Sequence, residues 1–195
     1  MKETLHEAIH GFGGMISTKQ VLDLDISKTT LTNYVRSGKI ERVGSGIYML
    51  PDTIEDDMYM LSLRSKWIIF SHDTALFLNH LAERTPFIHS ITIPSNASVP
   101  RSIKQQCCCY YIKPDLYQLG KIVRKTTFGH VVPCYDAERT ICDLIRSRSR
   151  YSVEVVTDAI KAYADSDEKD LNKLAEYAEH FRIMKVLKPY LEVLL

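Results

Sequence analysis

The stretch from Asp25 to Leu50, DISKTTLTNYVRSGKIERVGSGIYML, leaves the chain few options locally. Ser27 is suited to cap a helix, because its hydroxyl accepts a hydrogen bond from a first-turn N–H that has no partner inside the helix. Gly38 is suited to end that helix, because a residue without Cβ enters the left-handed conformation freely. Between them Leu31, Tyr34 and Val35 recur at helical spacing and define an apolar side. The opposite side carries Thr29, Thr32, Asn33, Arg36 and Ser37, with Lys28 at the flank. Ile40 to Val43 and Ile47 to Leu50 then read as two short strands. Gly44-Ser45-Gly46 joins them as a tight hairpin loop.

A polar helix face alone is what any surface helix presents. Here none of the face residues is acidic, and each can hydrogen-bond to a base edge or a phosphate. From Lys28 to Arg42 the cations Lys28, Arg36, Lys39 and Arg42 stand against Glu41 alone, a local balance of +3. The capped helix, glycine stop, basic strand and Gly-Ser-Gly loop together point to double-stranded DNA. The contacting set is Ser27, Lys28, Thr29, Thr32, Asn33, Arg36, Lys39, Arg42 and Ser45. Base reading is expected from Thr32, Asn33 and Arg36, and phosphate contact from Lys28, Lys39, Arg42 and the hairpin tip.

Upstream, Lys2 to His10 reads as a helix and Met15-Ile16 as a short strand that pairs with the hairpin. Ser17 caps a helix from Thr18 to Leu24 with Val21 and Leu22 turned inward. Helix, strand, helix, turn, helix, hairpin is the order of a winged helix-turn-helix. Pro51 and the acidic run Glu55-Asp56-Asp57 mark a boundary, which gives a DNA-binding domain over 1–52 and a second domain over 53–195. In the second, helices are expected from about Asp56 to Lys66, His72 to Leu81 (capped by Ser71) and Ala137 to Arg146 (capped by Asp136). Strands are expected at Trp67–Phe70, Phe87–Ile93, Cys107–Ile112, Lys121–Arg124 and His130–Cys134, with a loop from Ser95 to Ser102. Three helices close the chain, about Val153 to Ala164, Lys169 to His180 and Ile183 to Leu194. The fold class is α+β: a winged helix-turn-helix followed by an α+β domain that ends in a helical cluster.

Net charge is only +1, so basic surface must be local. Residues 101–150 hold ten of the 25 basic residues and a net +6, while both flanking segments are net acidic. Within this segment Lys121, Arg124 and Lys125, with Arg146, Arg148 and Arg150, are candidates for a second surface that touches DNA backbone. The opening Met1-Lys2-Glu3 leads into an amphipathic pattern and no run is long and apolar enough for a membrane span, which places the protein in the cytoplasm, away from membranes. Five cysteines, three of them adjacent at 107–109, make a poor disulfide framework and fit a reducing compartment. They are expected to be buried packing residues, since metal-ligand spacing is absent. Ser71-His72-Asp73 contains three catalytic residue types, but neighbours in sequence cannot converge as a triad, and a helix cap with an acidic first turn accounts for them. No phosphate-binding glycine loop or nucleophile motif is present. No catalytic residue, metal site or cofactor is expected.

Four stretches, GSGIYML in the hairpin, IFSHDTALFLNHL, ITIPSNASVPR and YDAERTICDLI, carry a resemblance. In this order they resemble the AbiEi family, antitoxins of bacterial AbiE abortive-infection toxin–antitoxin systems. The resemblance implies a winged helix that represses the operon by binding repeats in its own promoter, and a C-terminal antitoxin domain. It implies a nucleotidyltransferase-like toxin that is opposed without a stable complex (type IV), in phage resistance, and no enzymatic activity. It designates no individual base-contacting residue. The alternatives are a ligand- or metal-responsive winged-helix regulator and a nucleic-acid-directed enzyme.

Overall fold

The computed structural model describes residues 4–194, with side chains as far as Glu192. Among these residues the chain is mixed α+β, with eleven helices and two sheets. It divides into two compact units, Met1–Lys66 with Lys125–Val131, and Trp67–Arg124 with Val132–Leu195.

The first unit runs α1 (Leu5–Gly11), β1 (Met15–Ser17), α2 (Thr18–Asp23), α3 (Lys28–Arg36), β2 (Glu41–Gly44), β3 (Ile47–Met49) and α4 (Asp57–Arg64). Each early helix starts on a hydroxyl. Thr4 and Glu7 form a reciprocal capping box on α1, Ser17 and Gln20 another on α2, and Ser27 accepts from the Thr30 N–H at 3.1 Å on α3. The helix expected from Lys2 thus starts at Leu5; Lys2 and Glu3 lie outside the described residues. Met15–Ser17 pairs antiparallel with Ile47–Met49, and the three-stranded sheet has the order β1-β3-β2. Leu5, Ile9, Ile16, Val21, Leu31 and Ile40 form one core beneath the helices. Leu22, expected inward, is 43% exposed, because a six-residue helix turns only Val21 fully into that core. Gly38 takes φ +71° just past the end of α3, as the helix stop requires.

Residues 125–131 are held to this unit by Asp56. Its Oδ1 caps α4 through the Tyr59 N–H, and its Oδ2 accepts from Thr126 Oγ1 and from His130 Nδ1. His130 Nε2 lies 3.2 Å from the Gly13 carbonyl oxygen, and the ring stacks on Tyr59 at 4.2 Å.

The second unit contributes β4 (Ile69–Phe70), α5 (His72–Leu78), β5 (His89–Pro94), α6 (Arg101–Gln106), β6 (Cys107–Ile112), α7 (Pro114–Tyr117), β7 (Lys121–Lys125) and β8 (Val131–Tyr135). There follow α8 (Ala137–Arg146), a 3-10 turn (Arg148–Arg150), α9 (Val153–Asp165), α10 (Leu171–His180) and α11 (Met184–Leu194). The mixed sheet has the order β6-β5-β4-β8-β7, with β4 antiparallel to β5 and parallel to β8, and β5 parallel to β6. Helix α8 is the centre of the core: Ile141, Leu144 and Ile145 pack with Ile160, Tyr163, Leu174 and Leu187 from the closing helices.

Several boundaries differ from expectation for identifiable reasons. Helix α5 stops at Leu78, because Asn79 turns its amide to the carbonyls of Ala75 and Tyr135 and His80 adopts φ +59°. The region read as a loop to Ser102 enters α6 at Arg101, directly behind Pro100; Ile103 is its one buried residue, too little for periodicity to register. Ser71 occupies the N-cap position of α5 but makes no side-chain cap bond, its hydroxyl being engaged elsewhere. Cys107, Cys134 and Cys142 are buried, whereas Cys108 is exposed, since alternation on β6 turns it away from its neighbours.

Candidate nucleic-acid interface

Helix α3 presents Thr29, Thr32, Asn33 and Arg36 at helical spacing, and all four are exposed, while Leu31 is buried. Among the described residues the side chains of Lys28, Thr29, Asn33 and Arg36 make no hydrogen bond or ion pair. Their donors and acceptors are therefore open to a partner. Other members of the set are partly engaged. Ser27 Oγ is the helix cap, and Thr32 Oγ1 donates back to the Lys28 carbonyl at 3.0 Å, which leaves its oxygen to accept. Lys39 is exposed with its ammonium 5.2 Å above the Tyr34 ring.

At the hairpin, the register slips between Arg42 and Gly44, a bulge that increases local twist. Arg42 is exposed, and its Nε donates to the Gly44 carbonyl at 3.2 Å, which holds the side chain along the turn. Ser45 is exposed at the tip, and Gly46 takes φ +71°. All nine residues belong to the first unit, on α3 and its cap, on the connection that follows it, and on the hairpin.

The six basic residues expected as a second surface fall into two groups. On β7, Lys121 and Lys125 lie on one exposed face, whereas Arg124 is on the other, half-buried, with Nε donating to Asn79 Oδ1 at 3.0 Å. Arg146, Arg148 and Arg150 instead line a cleft of about 610 Å³ in the second unit, together with His72, Tyr110, Arg139, Asp143 and Ser147. Arg146 reaches Asp143 Oδ1 at 3.0 Å, Arg148 the Ile145 carbonyl at 3.1 Å, and Arg150 sits over the Tyr110 ring at 5.1 Å.

His72 is the residue whose role the sequence conceals. It opens helix α5, two residues after strand β4 ends, with φ +47°, a backbone conformation seldom adopted by non-glycine residues. Its ring is buried, stacked on Tyr110 at 3.5 Å, with Ser71 Oγ 3.0 Å from Nδ1 and Ser147 Oγ 3.0 Å from Nε2. Thr92 Oγ1 donates to Ser71 Oγ, which leaves the Ser71 hydrogen for Nδ1 and assigns the ring hydrogen to Nε2. Burial pushes its pKa down to about 4, so the imidazole is neutral near pH 7. Tyr110 and Tyr151, hydroxyl to hydroxyl at 2.9 Å, come from segments 41 residues apart, and no sequence signal links them.

Residues 7–51 match the model of a family described as transcriptional regulator, AbiEi antitoxin. The match contains the whole of α3 and the hairpin. Among solved structures the chain is similar to the RV2827C protein from Mycobacterium tuberculosis, with a TM-score of 0.56 over 88% of this chain and 69% of that one. At 10% identity this is a likeness of fold. No curated protein matches. Among the described residues no helix is long and apolar enough to cross a membrane.

Proposed function

We propose, from an N-terminal segment that matches the model of the AbiEi antitoxin transcriptional regulators, that this chain is a DNA-binding repressor of its own toxin–antitoxin operon. Its first unit acts as a winged helix-turn-helix. Helix α3 enters the major groove, with Thr32, Asn33 and Arg36 on base edges. Lys28, Lys39, Arg42 and Ser45 hold the flanking phosphates and fix the register. The remainder of the chain serves as the antitoxin moiety, opposing a nucleotidyltransferase-like toxin in the cytoplasm without forming a stable complex with it, in defence against phage. The protein acts by binding and not by catalysis.

The observation that carries this reading is the open stripe on α3. The exposed side chains of Lys28, Thr29, Asn33 and Arg36, with no internal partner among the described residues, lie inside the segment that matches a family of regulators. Lys121 and Lys125, whose side chains are exposed on one side of β7, contact DNA backbone separately from α3. The test is a reporter placed behind the DNA upstream of the protein's own gene. Wild-type protein is expected to silence it, and Arg36→Ala, expressed to the same level, to release it. Equal silencing by both would remove α3 from promoter recognition.

A further inference from the structure

The cleft in the second unit is lined by four arginines and one carboxylate. That carboxylate, Asp143, is 2% exposed and already bonded to Arg139 at 2.9 Å and to Arg146 at 3.0 Å. One negative charge thus faces four positive ones. Arg139 is fully buried and clamped flat between the rings of Tyr135 and Phe181, at 4.1 and 4.4 Å. Its Nε is spent on Asp143 and its Nη1 on the carbonyls of Leu116 and Leu119, but among the described residues Nη2 has no hydrogen-bond partner. Burying a guanidinium N–H without a partner is costly, and a nearby anion offsets the charge of a buried guanidinium. Arg148 and Arg150 are exposed and are carried on a short 3-10 turn. Ser147 receives the His72 ring hydrogen and so keeps its own hydroxyl hydrogen to donate. His72 holds that serine from a left-handed backbone conformation, a strain that persists where the surrounding structure enforces it.

We propose that this cleft binds the terminal phosphate of a nucleotide, with Arg148, Arg150 and Ser147 on the phosphate oxygens and Arg139 supplying the buried positive charge. An anion is selected by the donors, all of which are cationic or hydroxyl. The size admits a nucleotide: a volume of about 610 Å³ is that of a site for a whole small molecule and far exceeds a single oxyanion. The same chemistry is offered by a free mononucleotide and by the 5′-phosphate of a nucleic-acid strand. Planar guanidinium forks are suited to both.

The experiment is isothermal titration of the full chain with four probes: AMP, adenosine, and an RNA decamer with and without a 5′-phosphate. Each is repeated on the double variant Arg148→Ala, Arg150→Ala, whose side chains are exposed and whose fold is checked by thermal melting. At least one phosphorylated probe is expected to bind about tenfold more tightly than its unphosphorylated partner, with the double variant losing that advantage. Binding of AMP assigns a free nucleotide, and binding of the phosphorylated decamer alone assigns a strand end. No binding by any probe, equal binding with and without phosphate, or an advantage that survives in the folded double variant would each overturn the proposal.

Discussion

A histidine in the left-handed region, stacked on a tyrosine and hydrogen-bonded at both nitrogens, sets a pH dependence on the protein. His72 is held neutral by burial, with its pKa near 4, while in the unfolded chain it titrates near 6.5. Between these values the unfolded state binds the proton that the folded state refuses. Stability contributed by His72 is therefore whole above about pH 6.5 and declines as pH falls toward 4, by about 3 kcal/mol in all. Urea unfolding at pH 7.5, 5.5 and 4.5 is expected to show this decline in the wild type and a smaller one in His72→Gln. Identical pH profiles for the two would mean that His72 is not the group responsible. Ser71, His72 and Asp73 stand out in the sequence as residue types. Their actual partners, Thr92, Ser147 and Tyr151, arrive from distant segments, and so their use is not legible there.

At the scale of elements, local rules suffice wherever an element ends on a capping group. Ser17, Ser27, Asp136 and Gly38 stand where their side chains or backbone freedom require, and α3, the hairpin and α8 follow from them. Elements without such signals escape those rules. Short α7 opens on Pro114 with no side-chain cap bond, and α6 has one buried residue. Strand alternation also divides what charge alone would group. On β7, Lys121 and Lys125 share an exposed face, and Arg124 is turned to Asn79. Replacing both lysines by alanine is expected to weaken binding to promoter and unrelated DNA alike. It is also expected to lower the salt dependence by about 0.9 of log–log slope for each phosphate no longer neutralised. Arg124→Ala is expected to leave that slope unchanged and to lower thermal stability instead, by removing a half-buried hydrogen bond worth about 1–2 kcal/mol. A wild-type slope in the double lysine variant would take β7 off the DNA backbone.

The molecule as a whole consists of two compact units that the chain enters twice. Residues 125–131 belong with the first sixty-six, tied through the Asp56–His130 pair, a pairing 74 positions apart that no local pattern announces. Helical and strand periodicity report on neighbours within a few residues, and such closures lie beyond their range. Gly13 makes this closure checkable. It takes φ +73°, and a Cβ there would stand 2.6 Å from His130 Nε2, so Gly13→Ala is expected to destabilise the protein by about 1–3 kcal/mol in chemical unfolding. A denaturation curve unchanged from wild type would argue against that close approach. Sequence reading by α3 shows itself as discrimination between duplexes. The full chain and its Asn33→Ala, Arg36→Ala variant are titrated, at one fixed salt concentration, against DNA from upstream of the gene and against a scrambled duplex of equal length. Wild type is expected to prefer the upstream DNA. The folded variant is expected to give up about 1–3 kcal/mol of that preference for each base edge it no longer reads, while keeping its affinity for the scrambled duplex. A folded variant that discriminates between the two duplexes as well as wild type would contradict the assignment of α3 as the reading helix.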